Sequence, residues 1–338
     1  MYIENNQIRI YISFWLSVMF WFISIMIAIG GLTRLTDSGL SITEWQLFSG
    51  FIPPLSNSDW NIYFNLYKEI PEYKIQNFDM TIKEFKFIFW WEWIHRFLGR
   101  LIGILFLIPL IFFSFKLGFK KIIKLHIIFL LICFQGFMGW YMVSSGLVDK
   151  IDVSHFRLSI HLIIAFIILS LILWNYLEIK NISLPNKKIN FFIPIFFLIL
   201  IFSQIILGAF VSGMDAGKIY NTWPLMGSSY FPNDSYINDI FTISSFNDPS
   251  LVQFMHRNLA YIIFVFYLFI LVKTYRDNLD KYFLSVKLIG FFLTIQIILG
   301  ILTLVYGAQI VLASMHQICS IFLVSSSVYL LYLNSKFN

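Results

Sequence analysis

Charged side chains are scarce in this chain. Lys, Arg, Asp and Glu make up 12% of its 338 residues, about half the share of an ordinary soluble domain, which excludes a water-soluble globule before any segment is drawn. Cysteine is scarcer still. Cys133 and Cys319 are the only two, both inside apolar runs, so neither a disulfide framework nor a thiolate-rich zinc site is available. Basic clusters of the kind that grip nucleic acid are missing as well. The formal charge is +6, but Lys and Arg are scattered at segment ends, a pattern that reports orientation in a membrane. No small-residue cleavage site follows the first apolar run, which therefore reads as a retained helix.

What is there is hydrophobic, at 59% of residues. Crossing a hydrocarbon core takes roughly 20 apolar residues. Eight stretches qualify: 13–32, 87–113, 122–144, 157–177, 191–212, 252–272, 283–305 and 310–333. A span isolated in lipid must be helical to satisfy its own backbone. The expected fold is therefore all-α, a polytopic membrane protein of eight transmembrane helices. Lys116, Lys120, Lys121 and Lys124 fill one short loop; Lys180, Lys187 and Lys188 fill another, and Lys273, Arg276 and Lys281 a third. Positive short loops face the cytoplasm, which puts both termini inside and the 33–86 and 213–250 loops outside.

The two halves resemble each other. "GGLTRLTDSGLSITEW" after the first span pairs with "SGMDAGKIYNTWP" after the fifth, "EWIHRFLGRLIGILF" with "QFMHRNLAYIIFVFY", "FQGFMGWYMVSSG" with "IQIILGILTLVYG", and "HLIIAFIILS" with "HQICSIFLVS". The chain reads as two tandem four-helix bundles, 1–180 and 181–338, pointing the same way across the membrane because the offset is an even number of helices.

That repeat sets a histidine near the outer end of every even-numbered span: His95, His161, His256 and His316. Two imidazoles facing each other across a four-helix bundle can hold haem iron from both faces. Small residues beside them leave room for a flat macrocycle: Gly99, Gly103, Ala165, Ala260 and Ser320. A lone histidine in a span can instead bond a neighbouring helix, but four at repeat-equivalent positions favour two haem sites. His126 and His155 have no repeat partner and read as interfacial or solvated, His155 in an outer loop. Arg96 and Arg257 follow histidines in both halves, where they could bind a porphyrin carboxylate or snorkel to headgroups. Arg100 lies deeper and is expected to face the bundle, bonded to a propionate or to backbone carbonyls. One position breaks the symmetry. Glu92 shares a helix face with His95, and its counterpart is Gln253. A carboxylate beside a porphyrin can move protons and an amide cannot, so the first half reads as reactive and the second as the carrier of a permanent, electron-transferring haem.

With "GGLTRLTDSGLSITEW", "EWIHR", "SSGLVDKIDVSHFRLSIHL", "FMHRNLAY" and "SMHQICS" in hand, the chain resembles the haem A synthase family over nearly its whole length. The resemblance implies an enzyme that oxidises the C8 methyl group of haem O to the formyl group of haem A for terminal oxidase assembly. It implies haem b on His256 and His316, substrate haem O on His95 and His161, and an essential Glu92. Residues 33–86 lack the cysteine pair of some members, which points to the proteobacterial and mitochondrial branch. The expected location is a bacterial inner membrane, favoured over the mitochondrial one by the lack of a transit peptide. Implied partners are haem O synthase as donor, oxidase assembly factors and membrane lipid, with no nucleic acid; homo-oligomerisation stays open. The rival readings are a non-catalytic di-haem b-type cytochrome and a haem transporter. The long first outer loop, with Arg34, Asp37, Trp45, Pro53, Pro54 and Trp60, is expected to fold into interfacial helices that cap the haem pocket or touch substrate.

Overall fold

Residues 5–45, 49–147 and 153–335 are described by the structure, a computed structural model. Among them are ten α-helices, several short 3-10 turns and no β-strand. Eight helices are long and apolar enough to cross a membrane: α1 (Asn6–Leu35), α4 (Ile82–Leu117), α5 (Ile123–Gly146), α6 (His155–Lys180), α7 (Phe192–Gly213), α8 (Pro249–Arg276), α9 (Phe283–Val305) and α10 (Ile310–Leu333). Every expected span is present. Several run past the apolar stretch that announces them, because their caps lie in polar sequence. α4 starts at a reciprocal capping box between Thr81 and Glu84, and α8 at Asp248 followed by Pro249; both devices satisfy the free N–H groups of a first turn. Phe14, Phe115, Leu130 and Val265 stand 65–87% exposed on these helices. Exposed side chains of that size are a liability in water and are at home against lipid. The protein is a multi-pass membrane protein.

The spans associate in two closed rings. α1 touches α4 and α6, and α5 touches the same two; α7 touches α8 and α10, and α9 touches the same two. α6 against α7 and α10, and α1 against α10, join the rings. The expected boundary at 180/181 falls in the connection between α6 and α7.

Polar contacts tie the rings together at both ends, where bonds to water are lost on packing. Gln317 of α10 donates to the Ile27 carbonyl of α1 at 3.0 Å. A Cβ on Gly31 would overlap its amide, so glycine there leaves room for this bond. At the outer end Arg34 donates to Asp37 (2.6 Å) and to the Ser212 carbonyl of α7 (3.0 Å). At the other end the Tyr332 hydroxyl of α10 donates to the Leu177 carbonyl of α6 at 3.1 Å, and within the second ring Asn334 Oδ1 accepts from Ile189 N and from the Tyr282 hydroxyl, both at 2.9 Å.

The first outer loop folds as expected into helices, α2 (Asn57–Lys68) and α3 (Pro71–Ile75). They build a small core of Leu40, Ile42, Trp60, Phe64, Tyr67 and Ile70 on Phe85, Ile88 and Phe89, the outward extension of α4. Inside it Glu72 is 3% exposed and accepts from the Tyr67 hydroxyl (3.1 Å) and from Asn77 (3.4 Å). Burial, with the Glu72 carboxylate beside it, pushes the Tyr67 phenol up, so it stays a donor.

Candidate functional site

His95 and His161 stand on α4 and α6, opposite members of the first ring; His256 and His316 stand on α8 and α10, opposite members of the second. The His95 and His161 rings face each other with centroids 6.4 Å apart and planes at 78°. Two imidazole nitrogens each about 2 Å from a shared metal put the ring centroids about 6 Å apart, so the pair leaves the room one metal atom needs. Nδ1 of His161, His256 and His316 is buried with no hydrogen-bond partner. Buried polar atoms without partners are rare, and an imidazole is a common metal ligand. The residues therefore fit a haem in each ring.

Each imidazole rests against a glycine of the other two helices in its ring. A Cβ on Gly30 (α1) would come within 3.2 Å of His95, on Gly139 (α5) within 3.1 Å of His161, on Gly208 (α7) within 3.2 Å of His256, and on Gly300 (α9) within 3.0 Å of His316. One turn before three of these glycines is a glutamine. Gln135 donates to the His161 carbonyl and Gln204 to the His256 carbonyl, both at 2.9 Å. The amide nitrogens of Gln204 and Gln296 also lie 3.3 Å from Nε2 of His256 and His316. None of these residues was singled out in the sequence. The signal was present as a recurring Gln-x-x-x-Gly in the third, fifth and seventh spans, with Met26 and Gly30 in the first.

Glu92 is 2% exposed and saturated with donors. Oε2 accepts from Ser41 Oγ and from the Ile42 amide, both at 2.7 Å; Oε1 accepts from Arg96 Nε (3.0 Å) and Nη2 (2.6 Å). Arg96 also donates to the carbonyls of Ile42 (2.7 Å) and Glu44 (3.1 Å) and lies under the Trp45 ring. The carboxylate thus ties the chain after α1 onto α4. In the second ring Arg257 makes the matching contacts, to the carbonyls of Tyr220 (2.8 Å), Thr222 (2.9 Å) and Leu225 (3.3 Å). Gln253 donates to the Tyr220 carbonyl at 3.2 Å, while its Oε1 and Arg257 Nε are buried unpartnered.

Two expectations change. Arg100 bonds a backbone carbonyl, as one of the two alternatives had it, but toward the outer loop and not the bundle: its guanidinium donates to the Gly50 carbonyl (3.3 Å) and lies against Phe51. It is five residues after His95, which on a helix turns it about 140° away. His155 is not in a loop. It opens α6, half-buried, its ring against Phe156 and Phe210, with its Cβ where a side chain on Gly213 would stand. His126 is half-buried, bonded to Ser114 Oγ (3.0 Å) and the Ile122 carbonyl (3.1 Å). Gly103 faces open space, as a macrocycle would need; Gly99 has Met26 Cε 3.4 Å from its missing Cβ.

A profile of the family described as cytochrome oxidase assembly protein matches residues 13–328. Similar proteins include a heme A synthase of Pelagibacter ubique, 48% identical with 99% of this chain and 100% of the relative aligned. A heme A synthase of Rickettsia bellii is 44% identical over 93% and 96%, and one of Flavobacterium johnsoniae 39% identical over 95% and 98%. On this evidence the chain belongs to the COX15-CtaA family of cytochrome oxidase assembly proteins.

Proposed function

We propose that this protein is a haem A synthase, oxidising the C8 methyl group of haem O to a formyl group. The first ring, residues 1–180, is the substrate side and the second, 181–338, the cofactor side. His95 and His161 hold the substrate iron, and His256 and His316 hold haem b. The observation that carries this division is the contrast of Glu92 with Gln253 in rings whose histidines are otherwise equivalent, in a chain whose relatives are named for this reaction.

Haem b, when bound, supplies one-electron redox chemistry. The chain's own residues do the rest. The paired imidazoles fix the height of each porphyrin within its ring, and Gly103 leaves space beside the first pair. Arg96 and Arg257 clamp the outer loops over both sites, which excludes water from the reacting side. Arg96 and Arg257, next in sequence to His95 and His256, are the cations placed to bind a porphyrin carboxylate. Glu92, one turn from His95, is the carboxylate placed to accept a proton when the methyl is oxidised, at the oxygen that a donor such as Ser41 Oγ gives up. The Lys-rich short loops support a bacterial inner-membrane protein with both termini in the cytoplasm. Haem O synthase is the fitting donor of substrate, and oxidase assembly factors the fitting recipients.

The test is Glu92→Gln in a host that makes haem O, with extracted pigments separated by chromatography. Haem A is expected to fall about 100-fold or more, the usual share of acid–base catalysis, with haem b content unchanged. Normal haem A output would remove Glu92 from the chemistry. Loss of haem b together with haem A would reduce Glu92 to the loop tie that its hydrogen bonds describe.

A further inference from the structure

α5, α7 and α9 each carry a glutamine four residues ahead of the glycine that seats an imidazole: Gln135 before Gly139, Gln204 before Gly208, Gln296 before Gly300. One turn apart, glutamine and glycine share a helix face, and so the glutamine reaches the same histidine. α1 keeps the glycine, Gly30, but has Met26 where the glutamine would be. The Met26 thioether reaches toward Gly99, one turn beyond His95. A thioether donates no hydrogen bond and accepts only weakly.

Each Gln–His pair leaves two buried atoms unsatisfied. These are Oε1 of Gln135, Gln204 and Gln296, and Nδ1 of His161, His256 and His316. The amide nitrogens are already anchored on the histidine carbonyl or ring. An imidazole that gives one nitrogen to a metal carries its proton on the other, and that N–H needs an acceptor. Each pair therefore holds an unused acceptor on a residue that already touches the histidine, and ligation would turn one ring nitrogen into a donor in need of one.

Resting on the reading of these histidines as haem ligands, we propose that Gln135, Gln204 and Gln296 are positioning residues that orient and strengthen His161, His256 and His316. Met26 leaves His95 as the one weak, releasable ligand. The second ring then grips its porphyrin from both sides, as a resident cofactor requires. The first ring grips firmly through α6 and loosely through α4, as suits a porphyrin that must arrive as substrate and leave as product.

The test uses the full-length protein in detergent, loaded with haem b at both sites, and follows transfer of the pigment to excess apomyoglobin by its Soret absorbance. Wild type is expected to release haem in two phases, the fast one from the first ring. Met26→Gln is expected to slow the fast phase about tenfold and Gln204→Met to speed the slow phase about tenfold, the low end of what such supporting hydrogen bonds give metal sites. Gln204→Glu keeps an acceptor in place and is expected to preserve the slow phase, which separates the hydrogen bond from mere packing. The proposal is overturned if Met26→Gln leaves the fast phase within about twofold, or if Gln204→Glu releases haem as fast as Gln204→Met. A different result sinks the underlying reading. If His95→Ala and His256→Ala each release haem as wild type does, the histidines are not the ligands.

Discussion

Arg96 shares its guanidinium between a carboxylate, Glu92, and the carbonyls of Ile42 and Glu44; Arg257 has carbonyls alone, those of Tyr220, Thr222 and Leu225. The carbonyls lie at corresponding places in the two outer loops, so the clamp from arginine to loop belongs to the scaffold of both rings. What the first ring adds is an acid, and what it lacks is the glutamine that would stand at Met26. The comparison teaches where to look for function. On the proposed reading, features common to the rings would hold porphyrins, and features found in one ring would decide what happens to the porphyrin held there.

The broadest way to break this comparison is to remove one ligand from each ring. His256→Ala is expected to abolish the resident haem b of the purified protein and haem A production with it. His95→Ala is expected to keep haem b near the wild-type content and still make no haem A. Pyridine haemochrome spectra of both proteins measure this, and equal loss of haem b in the two would erase the division of labour. A smaller change tests the glycine seats. A Cβ at Gly300 would stand 3.0 Å from the His316 ring, and one at Gly136 meets nothing within 4 Å. Gly300→Ala is therefore expected to weaken haem retention about tenfold, the scale set by a misoriented ligand, while Gly136→Ala retains haem like the wild type.

The spans and the four histidines were legible because a bilayer enforces them: long apolar runs, broken by ionisable groups at one repeated height. Direction along a helix was less legible. His95 and Arg100 looked like parts of one site because they are close in sequence, but 3.6 residues per turn separates them to different faces. The arginine partners were hidden for another reason. Arg96 bonds to main-chain carbonyls some fifty residues away, and every residue offers a carbonyl, so no side-chain pattern marks them. The glutamines could have been read from their spacing; a polar residue in a span draws notice only when it is charged, and an amide is easily passed over.

The outer cap gives a finer comparison, since among the described residues α2 and α3 build their core on α4 of the first ring. Tyr67→Phe removes the shorter of the hydrogen bonds from Tyr67 and Asn77 to the buried Glu72 carboxylate. That is expected to cost about 1–3 kcal/mol and to lower the unfolding temperature in detergent by a few degrees, with haem b content unchanged. A parallel loss of haem b would mean that the cap supports both rings.

The sharpest test of the symmetric clamp has the smallest expected effect. Gln253 Oε1 and Arg257 Nε are buried without partners, at the positions where Glu92 Oε1 and Arg96 Nε bond to each other. Gln253→Glu supplies the missing acceptor. It gives up a long hydrogen bond to the Tyr220 carbonyl, but Arg257 already serves that carbonyl at 2.8 Å. Satisfying a buried guanidinium N–H outweighs losing one long neutral bond, so a gain of about 1 kcal/mol is expected, read as a small rise in unfolding temperature. Haem A production should change less than about twofold, because the second ring keeps both glutamines and its resident haem. A fall in stability would be equally informative. Glu92 draws its other two donors from Ser41 and the Ile42 amide, and Ile219 stands where Ser41 does in the repeat; destabilisation would show that the buried carboxylate needs that hydroxyl as well as the arginine.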